Sequence, residues 1–395
     1  MDLKVSSRRV LAAYGRGLAD RVPIASPISW SPAGDIDRER PGGWRADPGF
    51  IRVARLVQQQ CDVQAPFNPV PLPDGLFSRT VSYQRFCEAS DEFIEQLPPQ
   101  KTSPTRTRHA FILHTPGGDL HYAYDVDEGV ETIWDMIKPI NCPADVEKML
   151  SVPHRFTPPK PEEFEPFRQY RRQMGDDCIG GAWLNCQVAM LCAMMPYQLL
   201  LEWTATEPGL LRQLADAWLE RTWQRVEVML RNGVGPVWHF NGVERATPPM
   251  MGPRQWAQWV EPYDGEIMRR IKAADPNSLI HVHCHGRVAT VLDSFMAMGV
   301  DSTDPVEPPP QGDIELADAR RRVGERMTLY GNIEFVDMET AQPDQIERKV
   351  RQVFEHAGTS RTVLFLSATP HERHTERLLA NAERYLEAAV KFGGR

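Results

Sequence analysis

From about residue 178 onward, short apolar runs alternate with longer stretches in which apolar residues recur at helical spacing. The runs at 178–182, 234–240, 279–283, 302–306, 328–331 and 362–367 predict strands. The stretches at 208–232, 253–274, 288–298, 314–324 and 342–357 predict the helices between them. Strands that each precede a helix imply parallel pairing through right-handed crossovers. With two earlier strands at 22–26 and 62–64 the set reaches the eight of a (β/α)8 TIM-type barrel.

In such a barrel the working groups sit at the C-terminal ends of the strands. Five consecutive units here end in polar or ionisable residues. They are Trp238-His239-Phe240-Asn241-Gly242-Val243-Glu244, the segment around His283, Asp304-Pro305-Val306-Glu307, Gly331-Asn332-Ile333-Glu334, and Ser367-Ala368-Thr369-Pro370-His371. The second is the most pointed: Ile280-His281-Val282-His283-Cys284-His285-Gly286 ends an apolar run in imidazoles, a thiol and a glycine. Side chains alternate along a strand, so His281, His283 and His285 share one face and Cys284 takes the other, toward the helix layer.

The stretch from His109 to Asp125 alternates around Pro116-Gly117-Gly118 and predicts a β-hairpin over 105–127, inserted in a single barrel domain spanning 1–395. The proline-rich, acidic segment 153–166 reads as an ordered connector. No internal repeat or low-complexity tail is present. The Met-rich stretch 183–197 is expected to be core, with a pocket wall or a partner surface as the alternative. Asp176 and Asp177 are expected to be solvated.

Composition narrows the function classes. A net charge of -8 over 395 residues argues against nucleic acid as the main partner, because phosphate binding needs a basic surface. No apolar run is long enough to span a membrane, and the N-terminus lacks an apolar signal core, so a cytoplasmic location is expected. Seven cysteines without CxxC spacing fit reduced, buried thiols better than a disulfide framework.

Arg9-Val10-Leu11-Ala12-Ala13 with Asp20-Arg21-Val22-Pro23, the Thr115-Pro116-Gly117-Gly118 hairpin, His283-Cys284-His285-Gly286 with Gly299-Val300-Asp301, Gly331-Asn332-Ile333-Glu334, and a closing helix over 381–389 follow one another along nearly the whole chain. Together these pieces resemble the uroporphyrinogen decarboxylase superfamily, which includes the decarboxylase of haem synthesis and zinc-dependent methyltransferases that serve corrinoid proteins. The resemblance implies the barrel. It also separates the branches: the haem-pathway enzymes carry an arginine-rich loop near the N-terminus, where this chain reads Ala25-Ser26-Pro27-Ile28-Ser29-Trp30-Ser31-Pro32-Ala33. A substrate with many carboxylates would lack its clamps there. The methyltransferase branch has a His-x-Cys-Gly element and a further Cys near the last strand. Here His285 occupies the cysteine's place, and the last-strand region offers His371 and His374.

On this reading a divalent metal, zinc being the expected one, is held by His283, His285 and either Glu244 or His371, leaving a position open for substrate. Glu244, His239, Asn241 and Glu307 are the expected catalytic residues, with Glu244 as ligand or general base. Glu334 is a further rim carboxylate. The expected function is metal-dependent methyl or group transfer on a small molecule, with the corrinoid carried by a separate protein and a homodimer as the assembly. Two alternatives stay open: a metal-free decarboxylase or lyase of a small carboxylic acid that uses the histidines as proton donors, and a non-catalytic barrel that binds a small ligand.

Overall fold

Six parallel strands form the main sheet: β6 (Gly181–Asn185), β7 (Val237–Asn241), β8 (Leu279–His283), β9 (Ser302–Asp304), β10 (Thr328–Ile333) and β11 (Thr362–Leu366), paired in chain order. The computed structural model describes residues 2–39, 41–63, 93–128, 133–154, 156, 158–369 and 373–394. Beyond β11 the sheet continues: Ile24 bridges Leu364 in parallel, and Asp62 donates its backbone N–H to Ile24 O at 2.7 Å. The segments predicted at 22–26 and 62–64 are therefore the first two staves, and the architecture is the expected (β/α)8 barrel. Of the second stave, Gln64 lies outside the described residues.

The N-terminal helix Leu3–Ala13 plugs the barrel floor. Val10, Leu11 and Tyr14 pack with Ile179 and with Val237 and Leu279, the first residues of β7 and β8, while Val63 of the second stave lies against the same cluster. The opposite end of the sheet, where β7, β8 and β9 terminate in Asn241, His283 and Asp304, is left to polar groups.

The predicted hairpin is β3 (Arg106–Thr115) and β4 (Gly118–Asp127), joined through Pro116 and Gly117 with Gly118 at a positive φ of 114°. It belongs to a larger antiparallel sheet that also holds β1 (Ile94–Gln96), β2 (Gln100–Lys101) and β5 (Ile133–Ile137). Its apolar face, with Phe111, Leu113, Leu120 and Tyr122, joins the main core beside Val146 and Met149 of helix Pro143–Ser151. Asp176, in a short 3-10 turn, is exposed, and Asp177 beside it is half-buried with Arg8 Nε 3.7 Å from its carboxylate.

The predicted helix over 253–274 is two helices, Pro253–Trp259 and Asp264–Ala274. Pro262 explains the break: it has no N–H to continue the ladder and disfavours helical geometry at Glu261 before it. The strand predicted at 178–182 begins three residues later, at Gly181. Gly180 precedes it because a Cβ there would meet the Phe167 ring at 2.5 Å.

Candidate active site and metal centre

The register of the parallel strands assembles the site. Trp183 of β6 lies opposite His239 of β7, His239 opposite His281 of β8, and His283 opposite Asp304 of β9. These inward positions open into a cavity of about 620 Å³. Ala189, Met190 and Ala193 of helix Gln187–Met194 and Phe365 of β11 make its apolar side. Asn185, Asn241, Glu244, Arg245 and Tyr330 make its polar side.

Asp304 is the electrostatic centre. Its Oδ1 accepts from His281 Nε2 at 2.8 Å and from His283 Nδ1 at 3.1 Å, and its side chain is only 4% exposed. Burial opposes a charge there, but the charge of His281 and hydrogen bonds from both imidazoles hold the carboxyl well below the usual carboxylate range. Burial likewise opposes a charged His283. The hydrogen bond and charge of Asp304, with Glu244 and Glu307 behind it, outweigh that and raise its pKa. His239 lacks a carboxylate partner: burial first, then the neighbouring His281, push it well below the ordinary histidine value. Its ring stacks on Trp183 with centroids 3.7 Å apart and meets His281 edge-on at 4.3 Å.

Among the described residues, His239, His281 and Asp304 offer ligand atoms that all lie within 4.8 Å of one another. The donors fit a divalent ion of the zinc type: two imidazoles and a carboxylate. His239 Nε2 is also sealed from solvent without a hydrogen-bond partner, an arrangement that costs stability unless the nitrogen has another use.

Among the described residues this triad differs from the metal set expected from the sequence, His283, His285 and Glu244 or His371. Glu244 and His283 do line the cavity, but the group that converges is His239, His281 and Asp304. His285 lies past the end of β8, where strand alternation has stopped and Gly286 turns the chain at a φ of 83°. Its ring is 40% exposed and meets the His283 ring edge-on with centroids 4.7 Å apart, and its Nδ1 pairs with Glu307 Oε1 at 3.1 Å. Glu307 is a loop staple, since its other oxygen accepts from Gly286 N at 2.6 Å. His371 lies outside the described residues. His374 packs against Trp44 and Phe50 instead of the cavity.

Of the expected catalytic residues, His239, Asn241 and Glu244 line the cavity and Glu307 does not. Glu244 shares Oε1 with Arg245 at 3.2 Å, while Oε2 is sealed without a partner. Glu334 accepts from Asn332, and burial raises its pKa. Cys284 faces the apolar packing, as strand parity predicts, and burial raises its thiol well above the ordinary value. Part of the Met-rich stretch is core, with Leu191 and Met194 buried, and part is cavity wall.

Sequence reasoning missed His281 and Asp304 as candidate ligands and Tyr330 as a cavity residue, while Trp183 falls in the stretch for which a pocket wall was the alternative. A signal existed for the first two. His281 has the strand parity of His283, and Asp304 stands at a strand end.

The family model described as uroporphyrinogen decarboxylase (URO-D) matches residues 124–392, more than half of the chain. The chain belongs to the URO-D family. A 146-residue stretch of this URO-D protein is 28% identical to the chloroplastic uroporphyrinogen decarboxylase 1 of Oryza sativa subsp. japonica, covering 36% of this chain and 33% of that protein. A 233-residue stretch is 23% identical to the uroporphyrinogen decarboxylase of Microcystis aeruginosa, covering 56% of this chain and 61% of that one. The matches thus span less than two thirds of either relative's length. A methyltransferase from Methanosarcina mazei shares the fold, with a TM-score of 0.55, 15% identity and 98% of each chain covered. No helix among the described residues is long and apolar enough to cross a membrane.

Proposed function

We propose that this URO-D protein is a metal-dependent group-transfer enzyme that moves a methyl group between a small molecule and a corrinoid carried by a partner protein. The observation that carries the reading is the convergence of His239, His281 and Asp304 on the polar side of a cavity of about 620 Å³. The URO-D family and the methyltransferase neighbour support a group-transfer or decarboxylase-like enzyme. His239, His281 and Asp304 would hold the ion, which supplies a Lewis acid to polarise a substrate oxygen or sulfur.

The surrounding residues do the rest. Met190, Ala189, Ala193 and Phe365 exclude water from one side of the substrate. Asn185 and Asn241 offer amides to orient it. His283, with its raised pKa beside Asp304, holds a proton at the cavity wall that can be given to a leaving atom. The only cation on the wall among the described residues other than imidazoles, Arg245, is engaged by Glu244. The site therefore suits a substrate with few negative charges better than one with many.

The same His283 favours a second reading, a metal-free decarboxylase in which its proton quenches the carbanion left by loss of CO2. Metal analysis of variants separates the two. Protein carrying His281→Ala or Asp304→Asn should lose a zinc ion that wild type and His285→Ala retain at one per chain. Loss of zinc from His285→Ala alone, or full activity after chelation, would overturn the proposal.

A further inference from the structure

Beside His281 runs a chain of buried hydroxyls that the reading above does not use. Ser302 Oγ lies 2.7 Å from His281 Nδ1 and donates to the Tyr14 phenol oxygen at 2.7 Å. The Tyr14 oxygen lies 3.2 Å from that of Tyr330, which reaches the cavity wall, and 3.4 Å from Nδ1 itself. Tyr14, Ser302 and Tyr330 are all buried, at 5%, 0% and 3% exposure. Tyr14 comes from the cap of the N-terminal helix, so the barrel plug touches the site through this chain.

The direction of the chain decides which nitrogen of His281 carries hydrogen. When Ser302 donates to Tyr14, its own oxygen is free to accept from Nδ1–H. With Nδ1–H held this way, Nε2 is the nitrogen left for the cavity side: without an ion it carries the proton that bonds Asp304 Oδ1 at 2.8 Å, and with an ion bound it would give that proton up and offer its lone pair. Resting on the metal-centre reading, we infer that Tyr14 and Ser302 are positioning residues that hold His281 in the Nδ1–H tautomer and so prepare Nε2 and Asp304 for the ion. Partners of this kind fix the tautomer and ring orientation of a metal-binding histidine, and their loss weakens metal binding about 10- to 100-fold.

Zinc affinity, read by competition with a chromophoric chelator on the full chain, tests the inference. Tyr14→Phe and Ser302→Ala should each weaken zinc binding by about 10- to 100-fold, while Ser302→Thr, which keeps the hydroxyl, should restore most of it. The cobalt-substituted Tyr14→Phe protein should also show a shifted visible absorption band, which a loss confined to packing would not produce. Wild-type protein that binds zinc, with Tyr14→Phe and Ser302→Ala variants that bind it equally well, overturns the inference and leaves the metal centre standing. Wild-type protein that binds no zinc removes both. A folded but weakly binding Ser302→Thr protein would reduce the hydroxyls to packing and also count against the inference.

Discussion

Raising the pH from about 5 to about 8 should remove the stabilising contribution of one buried carboxyl group, that of Asp264. The side chain is buried; Oδ1 accepts from Gln187 N–H at 2.9 Å, and Oδ2 is sealed without a partner. Burial pushes the carboxyl from its ordinary 3.8 up to about 7, with only that backbone hydrogen bond opposing. The folded state therefore binds this proton more tightly than the unfolded chain. The stabilisation is complete below about pH 4 and is lost as pH rises through about 7. At about 1.36 kcal/mol per pH unit, the whole difference is worth about 4 kcal/mol, of which about 3 kcal/mol is lost between pH 5 and pH 8, a large share of the 5–15 kcal/mol that holds a typical domain folded. Asp304 acts in the opposite sense, because its depressed pKa contributes stability above the ordinary carboxylate value that is lost only in acid below this window. Urea unfolding of wild type and Asp264→Asn at intervals across the window measures the effect. The variant keeps the acceptor for Gln187 and cannot ionise, so it should gain on wild type as pH rises. Because Gln187 opens the helix carrying Ala189, Met190 and Ala193, the same loss of stability should reach the cavity wall. Parallel pH curves for the two proteins would refute the reasoning.

Two further predictions separate neighbours within the site. Glu244→Gln should leave zinc at one per chain and change stability by less than about 1 kcal/mol, as the Arg245 pair is partly solvated, yet cut turnover by about 100-fold or more. Zinc loss in this variant would make Glu244 a ligand. Cys284→Ser should cost about 1–3 kcal/mol in chemical denaturation, because its hydroxyl enters apolar packing with only His285 O nearby, at 3.8 Å from the present sulfur. Its zinc content should be unchanged, and a metal-free Cys284→Ser protein would mean that the thiol serves the ion.

The barrel was legible because each strand and helix announces its own period. The runs around Leu279–His283 and Thr362–Leu366 are apolar enough to define strands alone, and the alternation on β8 placed Cys284 outside and the histidines inside. The site was less legible, because its geometry depends on register between strands far apart in the chain. Nothing local in Trp238-His239-Phe240 shows that His239 stacks on Trp183 and meets His281. The same holds for Asp304, which reads as one rim acid among several until β9 lies beside β8 and both His281 and His283 turn onto it. His285 misled for the opposite reason: parity was carried past the strand's last hydrogen-bonded residue into a loop that Glu307 holds. Tyr14 was invisible from its own neighbourhood, because its hydroxyl meets Ser302 across 288 positions.

The central claim is that a metal ion belongs between His239, His281 and Asp304. Crystals of protein purified without added chelator, measured on either side of the zinc absorption edge, test it most directly. The account predicts one anomalous peak bonded to those three side chains, with His283 close by and His285 still on Glu307. A peak held instead by His283 and His285, or a cavity without a peak in protein shown to be fully folded and supplied with one equivalent of zinc, would contradict it.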